Sequence, residues 1–292
     1  MACRSPRSQV VHPRGFNGSC SECGIRPARK LTLSDRQKMQ RLSNSPRVDI
    51  ETFLDSGFSV RAHLAEHLQL TLEQVDQRLP DGKDDLAALH PGAFQADQAS
   101  EFYESTVGTG HLFELAAWHL SSSDYIADTL RLQEDFARGT VLDFGGGIGT
   151  HALAAAALDA VDRVHFVDLN PQNRAFVWSR AVALGLEHKM SMHRDLSDLT
   201  GQRFDTVVCL DVLEHLPDPS DQLMQFHALM NEDGRALLNW YFFKGHSGEY
   251  PFHFDDPDLV DCFFRTLQSH FLEDFHPLLI TTRVYTPLSV TS

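Results

Sequence analysis

The segment Thr140-Val-Leu-Asp-Phe-Gly-Gly-Gly-Ile-Gly-Thr-His151 concentrates the chemistry of this sequence. An apolar run carrying Asp143 passes into a glycine turn at Gly145, Gly147 and Gly149, then into a helix that begins near Thr150. Lacking a Cβ, these glycines let the backbone turn tightly and approach a flat polar ligand closely. A carboxylate two residues before the first glycine repels a pyrophosphate and attracts an ammonium group, directly or through water. The ligand is therefore expected to carry positive charge, although Gly147-x-Gly149-x-x-Ala152 also satisfies a dinucleotide fingerprint.

Val164-His-Phe-Val-Asp168 places a second carboxylate at a predicted strand tip, where it can accept both hydroxyls of a ribose. A nucleoside with an unphosphorylated 2′-hydroxyl follows, since Asp168 would otherwise face a second anion.

Two further motifs come in order behind these, Asp195-Leu196 and Cys209-Leu-Asp-Val-Leu-Glu-His-Leu216. Together with Asp143-x-Gly145-x-Gly147-x-Gly149 and Asp168, they make residues 140–241 resemble the class I S-adenosylmethionine-dependent methyltransferases. By that resemblance the cofactor is S-adenosylmethionine. The glycine turn holds its methionine end, Asp168 its ribose and Asp195 the adenine amino group, with Leu196 against the ring and Asp211 near the sulfonium. Taken as an isolated residue, Asp195 reads as a helix cap or surface acid, and the matching spacing brings the adenine reading level with it.

Glu214 and His215 follow the predicted fourth strand, where substrate and cofactor meet in doubly wound sheets. An imidazole titrating near neutrality suits a general base or an acceptor-orienting group. The alternative is a structural turn covering the cofactor. In the loop Phe243–Asp256, Tyr250, His253 and Asp255 are candidates for substrate contact, and His253 joins Glu214 and His215 as a candidate catalytic residue. A metal set of Asp211, Glu214 and His215 with His246 or His253 resembles RNA-end methyltransferases that use Glu-x-x-Glu-His. Asp211 departs from that pattern, and no metal is expected.

Short apolar runs alternating with helical segments after residue 139 indicate an α/β parallel sheet wrapped by helices. The resemblance adds a doubly wound, seven-stranded, mostly parallel Rossmann-like sheet with an antiparallel last strand near Ile280 to Pro287. Three regions are expected: a basic leader at 1–47, a helical lid or cap at 48–138, and a cofactor-binding catalytic domain at 139–292. In the cap, Val60, Leu64 and Leu68 share a helical face, Thr71-Leu-Glu-Gln74 reads as a capping box, and Pro80-Asp-Gly82 is expected to stop that helix. Tyr103, His111, Trp118 and His119 fall on helices ahead of the sheet, and Gly139 is expected as the last helix's stop.

The 292 residues carry a formal charge of −15, which argues against nucleic acid phosphates and anionic lipid as partners. That charge is uneven, because the first 47 residues hold ten basic side chains against two acidic ones. Cys20-Ser-Glu-Cys23 there supplies half of a zinc site without a second close pair. Cys209 and Cys262 lie in apolar surroundings typical of buried thiols, and no apolar run is long enough to cross a bilayer, so a reducing, cytoplasmic setting is expected. The reading is a methyltransferase for a small-molecule acceptor, at oxygen, nitrogen or carbon. It competes with a nicotinamide-dependent oxidoreductase on the same glycine turn and with a noncatalytic regulator that keeps the fold.

Overall fold

The computed structural model describes residues 49–89 and 94–289. The basic leader, with its Cys20–Cys23 pair, lies outside the described residues. Seven strands form one sheet: β1 Gly139–Phe144, β2 Val161–Val167, β3 Met190–His193, β4 Phe204–Cys209, β5 Met230–Leu238, β6 Phe271–Phe275 and β7 Arg283–Pro287. Their spatial order is β3-β2-β1-β4-β5-β7-β6. The first five run parallel, while β7 inserts antiparallel between β5 and β6. Strand order reverses between β1 and β4, which opens a crevice at the carboxyl edge of the sheet.

Three of the helices that flank the sheet begin on the same chemistry. Asn170-Pro171, Asp218-Pro219 and Asp256-Pro257 each place an Asx side chain at the N-cap and proline in the first turn. The Asx oxygen accepts from the backbone N–H of the second or third helical residue. Apolar side chains on both sheet faces then take up the helices. Val141, Val164, Phe166 and Val208 pack with helices Thr150–Ala157 and Pro171–Ala183. Leu142, Val207, Cys209 and Leu238 pack with helices Pro219–Leu229 and Pro257–His270.

Ahead of the sheet, helix Val60–Leu68 and helix Leu72–Arg78 form a hairpin, and Thr71 and Gln74 make the expected reciprocal capping bonds. Pro80 does not stop the chain's helical path. It sits in the first turn of the 3-10 helix Leu79–Asp81, where its missing N–H costs nothing, and helix Gly82–Ala88 follows directly. Gly82 serves packing, because a Cβ there would lie 2.8 Å from the backbone of Phe113 and Glu114 on helix Gly110–Ser121. Gly139 is likewise no helix stop. Helix Ser123–Phe136 ends with Ala137 extended, and Gly139 opens β1 at φ +58, tight against the Asp205 carboxylate. Cys209 is buried as expected, whereas Cys262 is exposed on the solvent side of its helix. No helix among the described residues is long and apolar enough to cross a membrane.

Candidate active site

β1 delivers Asp143 to the carboxyl edge of the sheet, and the chain turns at Gly145, Gly147 and Gly149, all at positive φ. Space around the turn is as restrictive as the backbone. A Cβ at Gly145 would lie 2.5 Å from Val212, and one at Gly147 would lie 2.7 Å from Leu115. Asp143 is 3% exposed, and its Oδ2 has no hydrogen-bond partner. Burial, then the charge of Asp168, pushes its pKa up to about 7. An orphaned buried acceptor of this kind needs a donor or a cation.

Asp168 follows β2 and is held from several directions. Its Oδ2 accepts the Gly147 N–H at 3.0 Å and its Oδ1 the Asn170 N–H at 2.8 Å. Asn173 Nδ2 sits 3.2 Å from Oδ2 and 3.1 Å from Nδ1 of His111 on the cap. Burial raises the Asp168 pKa to about 6 against these bonds. Asp211 follows β4 in the left-handed region at φ +55. Asn239 fixes it, accepting the Asp211 N–H and donating to Oδ1 at 2.9 Å. Burial pushes the Asp211 pKa up to about 6.

A cavity of about 60 Å3 joins Asp143, the glycine turn and Asp211 to Leu115, Trp118 and His119 of helix Gly110–Ser121. Sites that hold nucleoside-sized ligands run to roughly 300 Å3 or more. Helix Gly110–Ser121 packs directly on the glycine turn through Leu115. His119 and His151 on the cavity wall are kept neutral, since burial holds both well below the ordinary imidazole range. The buried acids thus dominate the local field, which suits a cation.

Asp195 stands apart from this cavity. It caps the 3-10 turn Leu196–Leu199, accepting from Ser197 N–H at 2.9 Å, and pairs with Arg194, which bridges to Glu104 of the cap. Leu196 packs on the core beneath.

Glu214 and His215 lie on the 3-10 turn Leu213–His215 beyond β4, and His253 comes from the loop after β5. The loop is stitched down by Phe254 N–H donating to the Glu214 carbonyl at 2.7 Å. Glu214 is 1% exposed with an unpartnered Oε2, and burial followed by the charge of Asp211 raises its pKa to about 8. The His215 and His253 rings meet edge to face at 4.6 Å. Nδ1 of His215 lies 3.2 Å from the Phe252 carbonyl and 3.0 Å from the Tyr103 hydroxyl, and Nδ1 of His253 lies 3.1 Å from the Phe243 carbonyl. Burial drives the His215 pKa down to about 3. Tyr250 stacks on His253 at 5.0 Å, and Tyr241 stands edge-on to both.

Several supporting residues escape the sequence reading. Asn170, Asn173 and Asn239 are amides that position acids, and nothing in their spacing marks them as more than surface residues. Tyr125, whose hydroxyl accepts from Asn239 Nδ2 at 3.0 Å, comes from a cap helix far away in the chain. His151 lies only two residues beyond Gly149 and was legible as part of the turn.

Residues 117–248 match the methyltransferase-domain family. The chain is 30% identical over 118 residues to a ubiquinone biosynthesis O-methyltransferase of Xanthomonas euvesicatoria pv. vesicatoria, covering 40% of this chain and 47% of that protein. It is 30% identical over 101 residues to the protein of that name from Pseudomonas syringae pv. tomato, covering 34% and 43%. The match thus spans less than half the length of either relative. The structure of mitomycin 7-O-methyltransferase shares the fold, with a TM-score of 0.50 at 14% identity over 74% of this chain and 67% of that one. The glycine cradle, the orphaned Asp143 oxygen and the sheet order are those of a class I S-adenosylmethionine-dependent methyltransferase domain, matched here over residues 117–248, and S-adenosylmethionine is the methyl donor of that family.

Proposed function

We propose that this protein methylates a hydroxyl oxygen of a small planar acceptor. The observation that carries this reading is the aromatic shelf beyond β4 and β5. It runs from His215 through His253 to Tyr241 and Tyr250, whose rings are 44% and 39% exposed. Half-exposed tyrosines beside a buried polar cluster suit a flat ring that presents one polar substituent inward. The names of the matched relatives, O-methyltransferases of ubiquinone biosynthesis, support the same acceptor class.

S-Adenosylmethionine supplies a methyl group on a cationic sulfur, and transfer to a hydroxyl replaces the hydroxyl proton. Asp143, the glycine turn and Asp211 are the groups placed to receive the cationic end, and Asp168 the ribose. Asp195, tied up as a turn cap, reaches the adenine only by exchanging its Ser197 and Arg194 partners. Glu214, His215 and His253 meet the acceptor hydroxyl, and the lid at Leu115, Trp118 and His119 excludes water. Alignment and water exclusion then provide much of the rate.

Calorimetric titration of the full chain with S-adenosylmethionine, followed by mass spectrometry of a panel of phenols and catechols, tests the reading. Saturable binding with a methylene-sized mass gain on a ring hydroxyl is expected. Binding of a nicotinamide cofactor in place of S-adenosylmethionine, or methylation confined to amines, overturns it.

A further inference from the structure

We propose that a second cavity, lined from helices Ile50–Ser56, Ser123–Phe136 and Thr150–Ala157, binds a small molecule made of an apolar body and a protonated amine. The inference stands apart from the methyl-transfer reading, because this cavity shares no lining residue with the one at the glycine turn. Its volume is about 300 Å3. Ligand sites begin at roughly that size.

The walls are apolar and braced. Ala154 and Ala157, one helical turn apart, contribute only methyl groups where Phe58 and Leu130 contribute full side chains. Phe58 is 1% exposed and stands at φ +55, a left-handed backbone that a β-carbon disfavours. Arg180 holds it there, donating to the Gly57 and Phe58 carbonyls. Close-packed interiors carry few voids larger than a water molecule, so a braced cavity of this volume calls for an apolar occupant.

Gln133 adds one specific polar contact. It is the uncharged polar side chain among the described lining residues, and it is 1% exposed. A backbone carbonyl can only accept, so the bond from Gln133 Nε2 to the His151 carbonyl at 2.9 Å fixes which way the amide lies. Its Oε1 is left without a partner. A ligand N–H would satisfy that buried acceptor.

The charges around the cavity have one sign. Asp49, Glu134 and Asp159 line it and are exposed, and no lysine, arginine or histidine joins them among the described residues. The Thr52 backbone N–H, then its hydroxyl, hold the Asp49 carboxyl below the ordinary carboxylate range. Carboxylates without an opposing charge attract a cation. A hydrated metal ion gains nothing from the apolar walls, whereas an ammonium group on an apolar body meets the acids, Gln133 and the walls together.

The test titrates the full chain by calorimetry, at low ionic strength, with phenethylammonium, cyclohexylmethylammonium and hexylammonium chlorides, each beside the alcohol of the same carbon skeleton. Expected is one saturable site per chain with a Kd below about 1 mM for at least one amine, and about 10-fold weaker binding of its alcohol. Glu134→Gln combined with Asp159→Asn, both at exposed positions, should weaken the amine about 3-fold or more, and Gln133→Met should weaken it about 10-fold. Asp143→Asn should leave it unchanged, since only an amine seated at the glycine turn would respond. No saturable binding of any of the three amines, or equal binding of amine and alcohol, overturns the site. Binding that Asp143→Asn removes and the double variant leaves intact overturns it as well.

Discussion

The backbone N–H of Gly147 donates to Oδ2 of Asp168 at 3.0 Å, so the acid that ends β2 also holds the glycine turn that follows β1. The shape of the glycine turn thereby depends on the same carboxylate that is proposed to bind the ribose.

Asp168→Ala should consequently lose more than a ribose contact. The Gly147 and Asn170 N–H groups and the Asn173 amide would all be left without their buried acceptor. Leaving such donors unpaired costs about 1–3 kcal/mol. Urea unfolding should show a loss in that range, and calorimetry should show cofactor affinity reduced by about tenfold or more. Unchanged stability would mean that water takes over the donors.

Cofactor affinity should rise with pH. Asp143 and Asp168 have pKa values raised from 3.8 to about 7 and about 6. The folded protein therefore keeps protons that the unfolded chain has already released, and ligand-free stability falls as pH climbs from about 4 through about 7. A bound cation favours the ionised form and expels those protons. Affinity should gain roughly tenfold between about pH 5.5 and about pH 8. Calorimetry in buffers of different ionisation heat should detect proton release near neutrality, and a flat profile would remove Asp143 from cation binding.

Gly147→Ala tests how closely helix Gly110–Ser121 seats on the glycine turn. The new Cβ would lie 2.7 Å from Leu115 Cδ1 at a φ of +56. Cofactor binding and melting temperature should both fall. Adding Leu115→Ala should relieve the clash but retain about 1–2 kcal/mol from the left-handed backbone. Equal loss in the single and double variants would show that the backbone alone sets the effect.

Arg180 should prove structural. It is fully buried, and its guanidinium donates to the carbonyls of Ile148, Gly57 and Phe58, tying the glycine turn to the cap. Burial lowers its pKa to about 9, so it remains charged at neutral pH. Arg180→Met should cost about 3 kcal/mol or more, because bonds from a charged donor are worth about 1.5–3 kcal/mol each. Chemical denaturation measures this, and the same variant should weaken cofactor binding through the freed Ile148 carbonyl.

Much of the site was written locally in the chain. Asp143 and the three glycines stand on one strand–turn–helix unit, and Asp168 ends the next strand, so short-range pattern fixed their places. The alternation of apolar runs likewise discloses a parallel sheet. What tertiary structure decided was everything that depends on two distant segments meeting. His253 reaches Glu214 and His215 only because the loop after β5 folds back onto the turn after β4, and Asn239 holds Asp211 across the same gap. Pro80 and Gly82 favour a stop by their local preferences, yet a 3-10 turn and close backbone packing against Phe113 and Glu114 use those same residues to continue. Residue type and spacing determine which groups are available to a cation and a nucleoside. Burial, and the neighbours that long-range packing supplies, determine which of those groups remain unpartnered and so poised to bind.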